Sequence, residues 1–192
     1  HRRVQGEPIA YLISQWGFWE DDFYVTPDTL VPRPDTECLV EAVLTGWQVS
    51  SPLRILELGV GSGAIAVTLG KYRPGWSIVA TDICAKALSV AQENARRLGA
   101  VSIQWKLGNW YDAIAADQRF DLIISNPPYI EAGADALQDV GVKYEPRQAL
   151  VSGKEGLDAL TVIIEKAHQY LNPGGSLLLE SAPFQINKIS EL

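Results

Sequence analysis

The sequence has 192 residues, of which 47% are hydrophobic and 20% charged, a composition typical of a globular chain with one sizeable core. Its formal net charge of −7 provides no broad basic face, so direct nucleic-acid binding is not predicted. Cys38 and Cys84 have neither metal nor disulfide spacing, and no segment approaches the ~18 apolar residues that span a bilayer. The start shows no signal-peptide pattern, and two unpaired cysteines fit a reducing compartment. We therefore expect a cytoplasmic location without metal or membrane contact, and, as a separate expectation, a monomer.

The first 32 residues are rich in aromatic and β-branched side chains interrupted by turn formers. The stretch from Tyr11 to Val25 is broken at Gly17 and by acidic residues at positions 20–22. This pattern predicts a β-hairpin or short antiparallel strands.

Two prolines then flank Arg33, which predicts a rigid extended loop over residues 31–37. We expect Asp35 or Thr36 to cap a helix over residues 37–47, because both residue types accept hydrogen bonds at helix starts.

From residue 53 the predicted elements alternate between strand and helix. Strands are predicted at 53–58, 76–81, 101–107, 120–125 and 176–180, and helices at 63–72, 85–98 and 157–171. The last helix is expected to end at Asn172-Pro173-Gly174-Gly175. Alternation of this kind predicts an α/β fold with a Rossmann-like, doubly wound and mostly parallel sheet.

The predicted strand 120–125 ends at Asn126-Pro127-Pro128-Tyr129. Prolines have no N–H and restrict φ, so this is a stiff loop at a strand's carboxyl end, where open α/β sheets bind ligands. The Asn126 side-chain oxygen and the Pro127 carbonyl can accept hydrogen bonds from one –NH2 group, and Tyr129 can stack on the planar group that carries it. A Pro-Pro turn that only closes a core strand is the alternative.

The strand at 53–58 runs into a glycine-rich loop, Glu57-Leu58-Gly59-Val60-Gly61-Ser62-Gly63. Glycines permit positive φ and close approach of a ligand, and a helix amino terminus follows. The spacing G-x-G-x-G differs from the dinucleotide pattern G-x-G-x-x-G, and Glu57 would repel a pyrophosphate but attract a cation. The loop therefore favours S-adenosylmethionine, which carries an ammonium and a sulfonium. A tight strand-to-helix turn is the structural alternative.

Two further strand ends complete the predicted cofactor site. Asp82 follows the strand at 76–81, where an acidic side chain can accept hydrogen bonds from ribose hydroxyls. After the next strand, Asn109 can bond an adenine amino group and Trp110 can cover the ring. Core packing is an equally good interpretation of Trp110.

Together these motifs resemble the HemK/PrmC family of protein-(glutamine-N5) methyltransferases, which modify peptide chain release factors. The resemblance covers almost the whole chain, and its more specific elements are Gly6–Leu12, Phe18-Trp19, Leu30–Glu37, Ser125–Ile130, Tyr144-Glu145-Pro146, Pro173-Gly174-Gly175 and Leu178–Glu180. It implies methyl transfer from S-adenosylmethionine to the glutamine N5 of a Gly-Gly-Gln motif, in translation termination. It also implies that Arg33 and Glu37 lie on a loop over the substrate, and that Pro128 and Asn126 line the site.

The resemblance also divides the chain. Residues 1–32 would be a hairpin and linker from an N-terminal helical domain, and residues 33–192 the methyltransferase domain. That helical domain and two carboxyl-terminal strands of the family are not in the sequence, so we expect a domain truncated at both ends. Two positions depart from the family pattern: Asn109 replaces the usual Asp, and Ser181-Ala182-Pro183 follows Glu180 in place of His-Gly.

An amide nitrogen is a poor nucleophile, so Asn126 and the Pro127 carbonyl would aim it and stabilise the positive charge that develops on it. One alternative is a DNA adenine-N6 methyltransferase that presents a flipped base to the same loop, although the acidic charge disfavours it. Another is a non-catalytic nucleotide-binding module, which would keep the glycine loop and Asp82 but have no use for Asn126.

Overall fold

The computed structural model describes residues 1–47, 52–100 and 102–192. An antiparallel hairpin is formed by β1 Gln15–Phe18 and β2 Asp21–Tyr24. Five further strands follow: β3 Arg54–Leu58, β4 Ser77–Asp82, β5 Ile103–Leu107, β6 Phe120–Ser125 and β7 Leu171–Leu179. The five form one parallel sheet in the order β5-β4-β3-β6-β7. The predicted α/β fold, with a doubly wound parallel sheet and a separate hairpin, is therefore confirmed.

The helices are α1 Ile9–Ile13, α2 Glu37–Gly46, α3 Ala64–Tyr72, α4 Ala85–Leu98, α5 Asp158–Ala167 and α6 Ile186–Ile189. Of these, α2 to α5 correspond to predicted helices, whereas α1 and α6 were not predicted. Val101, the first residue of the strand predicted at 101–107, lies outside the described residues. Among the helices of the described part, none has the length and apolar character to cross a membrane.

The central strands are buried on both faces. Ile55 and Ile124 pack in a cluster with side chains of α2, α3 and α4, whereas Leu56 and Ile123 pack in another with Ile163 of α5. Successive side chains of a strand point to opposite faces. Helices cover both faces of this sheet, which explains why its inner strands are nearly continuous apolar runs.

The strand order reverses between β3 and β6, which lie side by side at the centre of the sheet. The Ser125 hydroxyl donates a hydrogen bond of 2.6 Å to the Leu58 carbonyl and ties the two carboxyl ends together. In open α/β sheets the crevice beyond such a reversal is the usual ligand site.

The region before the hairpin differs from the prediction, because Tyr11–Ile13 belong to α1 and not to a strand. The Pro8 carbonyl accepts hydrogen bonds from the Tyr11 and Leu12 N–H groups, and the Tyr11 hydroxyl donates to the Thr29 carbonyl at 2.7 Å. Burial of Tyr11 and these bonds outweigh the β preference of the stretch.

The end of α5 also differs, since the helix stops at Ala167 and Leu171 already pairs with Phe120. Residues 172–175 form an irregularity within β7, and Asn172 Nδ2 donates to Asp121 Oδ1 at 2.7 Å. The Pro-Gly-Gly segment therefore marks an interruption of a strand and not the end of a helix. Among the described residues β7 pairs with β6 alone. The two additional carboxyl-terminal strands that the resemblance implies stay a prediction. The division of the chain at residue 32 also stays a prediction.

Candidate functional site

A main cleft opens at the carboxyl ends of β3, β4 and β6. The predicted site residues that line it are Arg33, Glu57, Gly59, Val60, Gly61, Ser62, Asp82, Asn109, Trp110, Asn126 and Pro128. A smaller cavity is lined by Arg33, Asn126, Pro127 and Tyr129 among others. Arg33 and Asn126 line both, so they lie between the two spaces. Of the residues predicted for the site and described by the structure, Gly63 and Glu37 line neither cavity.

The three glycines of the loop all have positive φ, 75° at Gly59, 55° at Gly61 and 86° at Gly63. A Cβ atom at position 61 would meet nothing within 4 Å, whereas one at position 63 would lie 3.0 Å from Val67 Cγ2 and 3.1 Å from Ala91 Cβ. Gly61 therefore leaves the cleft open. Gly63 instead lets α3 pack closely on α4, and its predicted contact with a cofactor stays a prediction.

Glu57 lies at the bottom of the cleft with 2% of its surface exposed. Its Oε2 atom has no hydrogen-bond partner among the described residues. Burial raises the pKa of this carboxyl well above its usual value. A hydrogen bond from the Ala66 N–H partly offsets the rise, and the nearby charge of Asp82 adds to it. A buried polar atom without a partner is costly, so a cation in the cleft would relieve a cost that the protein otherwise carries.

Asp82 already has two partners in the protein. Its Oδ2 accepts the Gly61 N–H at 2.9 Å and its Oδ1 accepts the Cys84 N–H at 2.8 Å. Burial raises the pKa of Asp82, and these backbone bonds partly offset the rise. A carboxylate oxygen has more than one lone pair, so Asp82 can hold the glycine loop and still accept a bond from the cleft.

Trp110 both lines the cleft and contributes to the core. Its backbone has a left-handed φ of 48°, and its ring packs on the apolar cluster beneath α5. The Thr81 hydroxyl donates to the Trp110 carbonyl at 3.2 Å, and a Cβ atom at position 59 would lie 3.4 Å from the ring. Both interpretations of Trp110 are thus compatible with its position.

A chain of hydrogen bonds runs from Asn126 to Tyr129. Asn126 Nδ2 donates to Thr36 Oγ1 at 2.9 Å, Thr36 Oγ1 donates to Glu180 Oε2 at 2.7 Å, and the Tyr129 hydroxyl donates to Glu180 Oε1 at 3.0 Å. The predicted capping of α2 by Asp35 or Thr36 is wrong. A 3-10 turn, Pro34–Thr36, leads into α2 and no side chain caps the helix, because the Thr36 hydroxyl is bonded to Asn126 and Glu180 instead.

The loop over residues 31–37 is attached on two sides. Arg33 forms an ion pair of 2.7 Å with the buried Glu145, and Glu37 Oε1 accepts the backbone N–H of Trp19 at 2.7 Å in the hairpin turn. The structure thus gives Arg33 and Glu37 partners within the protein. Their predicted roles in substrate binding stay predictions.

Asn94 in α4 links the hairpin to the glycine loop, and sequence reasoning missed it. Its fully buried Nδ2 donates at 2.8 Å both to the Tyr24 carbonyl and to the Ser62 carbonyl, and its Oδ1 accepts the Tyr24 N–H at 2.7 Å. The available signal was an amide on the apolar face of a helix. Buried amides of this kind are normally fully hydrogen-bonded.

Solved structures share the fold. A methyltransferase from Pyrococcus furiosus superimposes with a TM-score of 0.64 at 22% identity, over 99% of this chain and 82% of its own. A ribosomal protein L11 methylase from Lactobacillus delbrueckii subsp. bulgaricus gives a TM-score of 0.62 at 22% identity, over 87% of this chain and 70% of its own. The chain therefore shares the fold of these methyltransferases.

Sequence comparison identifies the family within the methyltransferases. Residues 35–143 match the family model of the methyltransferase small domain. The release factor glutamine methyltransferase of Salmonella typhimurium is 47% identical over 93% of this chain and 64% of its own length, and that of Coxiella burnetii is 44% identical over 100% and 68%. The chain belongs to the release factor glutamine methyltransferase family. It spans about two thirds of the length of these curated relatives.

Proposed function

We propose that this chain transfers a methyl group from S-adenosylmethionine to the side-chain amide nitrogen of the glutamine in the Gly-Gly-Gln motif of peptide chain release factors. Family membership and the names of the curated relatives support the proposal. The observation that carries it is the orientation of Asn126, which lies between two cavities with Nδ2 bonded to Thr36 and Oδ1 left to accept. The expectations of a monomer and of a cytoplasmic location stay predictions.

The main cleft fits the proposed cofactor in two respects. Glu57 Oε2 is a buried acceptor without a partner, which suits an ammonium group, and Gly61 leaves the space beside the loop open. We propose that the residues holding the cofactor are Glu57, Gly59, Val60, Gly61, Ser62, Gly63, Asp82, Asn109, Trp110 and Asn126. When bound, S-adenosylmethionine supplies an electrophilic methyl group on a positively charged sulfur.

The protein's contribution is to orient a weak nucleophile. The nitrogen lone pair of an amide is delocalised into its carbonyl, so the –NH2 group must be held in one direction. Asn126 Oδ1 and the Pro127 carbonyl would each accept one of its N–H bonds, and both acceptors would stabilise the positive charge that develops on nitrogen. Orientation alone contributes up to about 7–11 kcal/mol in favourable cases. Tyr129 would pack on the amide plane beside Pro128.

Labelled S-adenosylmethionine tests this function directly. The protein is incubated with a purified release factor whose Gly-Gly-Gln glutamine is intact or changed to alanine, and with duplex DNA in parallel. We expect label on the intact factor only. Label on DNA would instead support the adenine-N6 alternative, which the relatives do not favour. Binding of the cofactor without transfer to either would support the non-catalytic module.

Glu57→Gln is expected to weaken S-adenosylmethionine binding by about 10-fold or more, because a hydrogen bond to a charged group contributes about 1.5–3 kcal/mol. The cofactor-free variant should be at least as stable as the wild type at neutral pH. Glu57 ionises near its ordinary pKa of 4.5 when unfolded but at higher pH when folded, so the native carboxyl costs stability as pH rises above 4.5. The stability difference should therefore shrink toward pH 4.5.

Calorimetric titration and thermal unfolding from pH 4.5 to 8 measure both effects. Adenosine is the matched control ligand, since it lacks the ammonium group and should bind both proteins equally. An equal loss of adenosine and cofactor affinity would mean that the substitution distorts the cleft. Unchanged cofactor affinity would remove Glu57 from the proposed site.

A further inference from the structure

We propose that Thr36 and Glu180 are positioning residues that set the orientation of the Asn126 side-chain amide and thereby select a substrate group that donates hydrogen bonds over one that accepts them. The inference deepens the proposed function and rests on it. It follows from the direction of each hydrogen bond in the chain that joins Asn126, Thr36, Glu180 and Tyr129.

The direction of the chain begins at Glu180. A carboxylate has acceptors only, and both of its oxygens are engaged, Oε1 by the Tyr129 hydroxyl at 3.0 Å and Oε2 by the Thr36 hydroxyl at 2.7 Å. Burial and the charge of Glu180 raise the pKa of Tyr129 to about 12, so the phenol keeps the proton that it donates. The single proton of Thr36 is therefore committed to Glu180.

The orientation of the Asn126 amide follows from the donation of the Thr36 proton to Glu180. With its proton on Glu180, Thr36 Oγ1 can only accept, and Nδ2 is the one Asn126 side-chain atom that can donate to it. A flipped amide would place Oδ1 against Oγ1 with no proton between them. The amide therefore keeps Nδ2 on Thr36 at 2.9 Å and leaves Oδ1 for the substrate.

The backbone keeps these groups at their positions. Thr36 is buried in the turn before α2, and the Glu180 N–H donates to the Ser125 carbonyl at 3.1 Å, next to Asn126. The Gln185 side chain, itself buried, donates to the Tyr129 carbonyl at 3.1 Å. The arrangement thus brings together three segments that are distant in sequence.

The consequence is a choice between two nearly isosteric substrate groups. A glutamine amide presents an –NH2 group to Oδ1, whereas a glutamate carboxylate presents only acceptors and meets an acceptor. An Asn126 amide that could rotate would lose this discrimination, because Nδ2 could then donate to the carboxylate.

Thr36→Val and Thr36→Ser form the matched pair that tests the proposal, since valine keeps the shape without the hydroxyl and serine keeps the hydroxyl. Thr36→Val should lower kcat by about 10–100-fold, the range seen when residues that orient metal ligands are removed. Cofactor affinity should fall by a smaller factor, since Thr36 also lines the main cleft. It should also reduce the preference for binding a release factor with Gly-Gly-Gln over one with Gly-Gly-Glu. Thr36→Ser should retain both properties.

Glu180→Gln is the second variant, because a glutamine can either accept from or donate to Thr36 and so leaves the direction undecided. We expect it to reduce the same Gln-over-Glu preference. Retention of kcat and preference in Thr36→Val and Glu180→Gln would overturn the proposal. An equal loss of affinity for the two factors and for the cofactor would also overturn it, since that pattern indicates general damage. Absence of transfer by the wild type is a separate result, which would overturn the proposed function and the positioning role with it.

Discussion

Asn126→Ala is expected to lower kcat for methyl transfer by about 10²–10³-fold, the cost of losing one well-placed partner of a developing charge. The variant removes the Oδ1 atom that would accept an N–H of the substrate and leaves the Pro127 carbonyl alone to orient the nitrogen. Single-turnover transfer of labelled methyl groups measures the effect on the chemical step. Calorimetric titration with S-adenosylmethionine separates it from any loss of cofactor binding.

The matched control is Asn172→Ala. Asn172 also donates one side-chain hydrogen bond, to Asp121 at 2.7 Å, but it lies beside the amino-terminal half of β6, away from both cavities. Replacing Asn172 by alanine should change kcat by no more than about twofold. It should lower the free energy of unfolding by about 0.5–1.5 kcal/mol, the usual contribution of one hydrogen bond. An Asn126→Ala enzyme as active as Asn172→Ala would show that Asn126 does not orient the nucleophile.

Gly156→Ala is expected to destabilise the fold severely and to displace the loop that carries Asn126. Gly156 has a φ of 72°, and a Cβ atom there would collide with the Tyr129 carbonyl oxygen and lie 2.8 Å from Gln185 Nε2. A backbone carbonyl cannot move aside without moving the Pro-Pro loop. We expect overpacking to cost about 1–3 kcal/mol or more, in addition to about 1–2 kcal/mol for an alanine in the left-handed region.

Gly99→Ala isolates the backbone cost, because Gly99 has a φ of 82° but a Cβ atom there would meet nothing within 4 Å. Urea unfolding of both variants gives the two free energies of unfolding, and methyl transfer at a temperature where both are folded gives the effect on the site. Gly156→Ala should be the less stable and the less active. Equal stability of the two variants would mean that the Pro-Pro loop moves to accommodate the added methyl group at little cost.

Sequence reasoning predicted the sheet and the glycine loop well because these depend on local patterns. The strand 120–125 and the helix 85–98 have the predicted bounds, since an apolar run stopped by prolines and a helix ended by glycine are determined by a few neighbouring residues. The placement of Glu57, Asp82 and Asn126 around one cleft followed from topology, because parallel strands end at the same edge.

The predictions that were wrong concern residues whose partners are distant in the sequence. Thr36 is of a residue type that commonly caps helices. Its hydroxyl instead bonds to Asn126 and Glu180, which are 90 and 144 residues away. Tyr11 has a β-forming side chain, and only its burial and its bond to Thr29 explain the helix around it. No spacing rule relates such residues, so a single sequence carries no signal for these pairs.

The amino-terminal hairpin and the glycine loop are both hydrogen-bonded to one buried side chain, Asn94. The Asn94 amide nitrogen donates to the Tyr24 carbonyl of β2 and to the Ser62 carbonyl. Separation of the hairpin from α4 would remove the two bonds to Tyr24 that fix the direction of this amide, and the amide could then rotate away from Ser62. A ligand that binds more tightly when Ser62 keeps its bond to Asn94 would favour the docked hairpin, and the docked hairpin would raise the affinity of that ligand by the same factor. The affinity of such a ligand would therefore depend on how firmly the hairpin is docked, with no contact between the hairpin and the ligand.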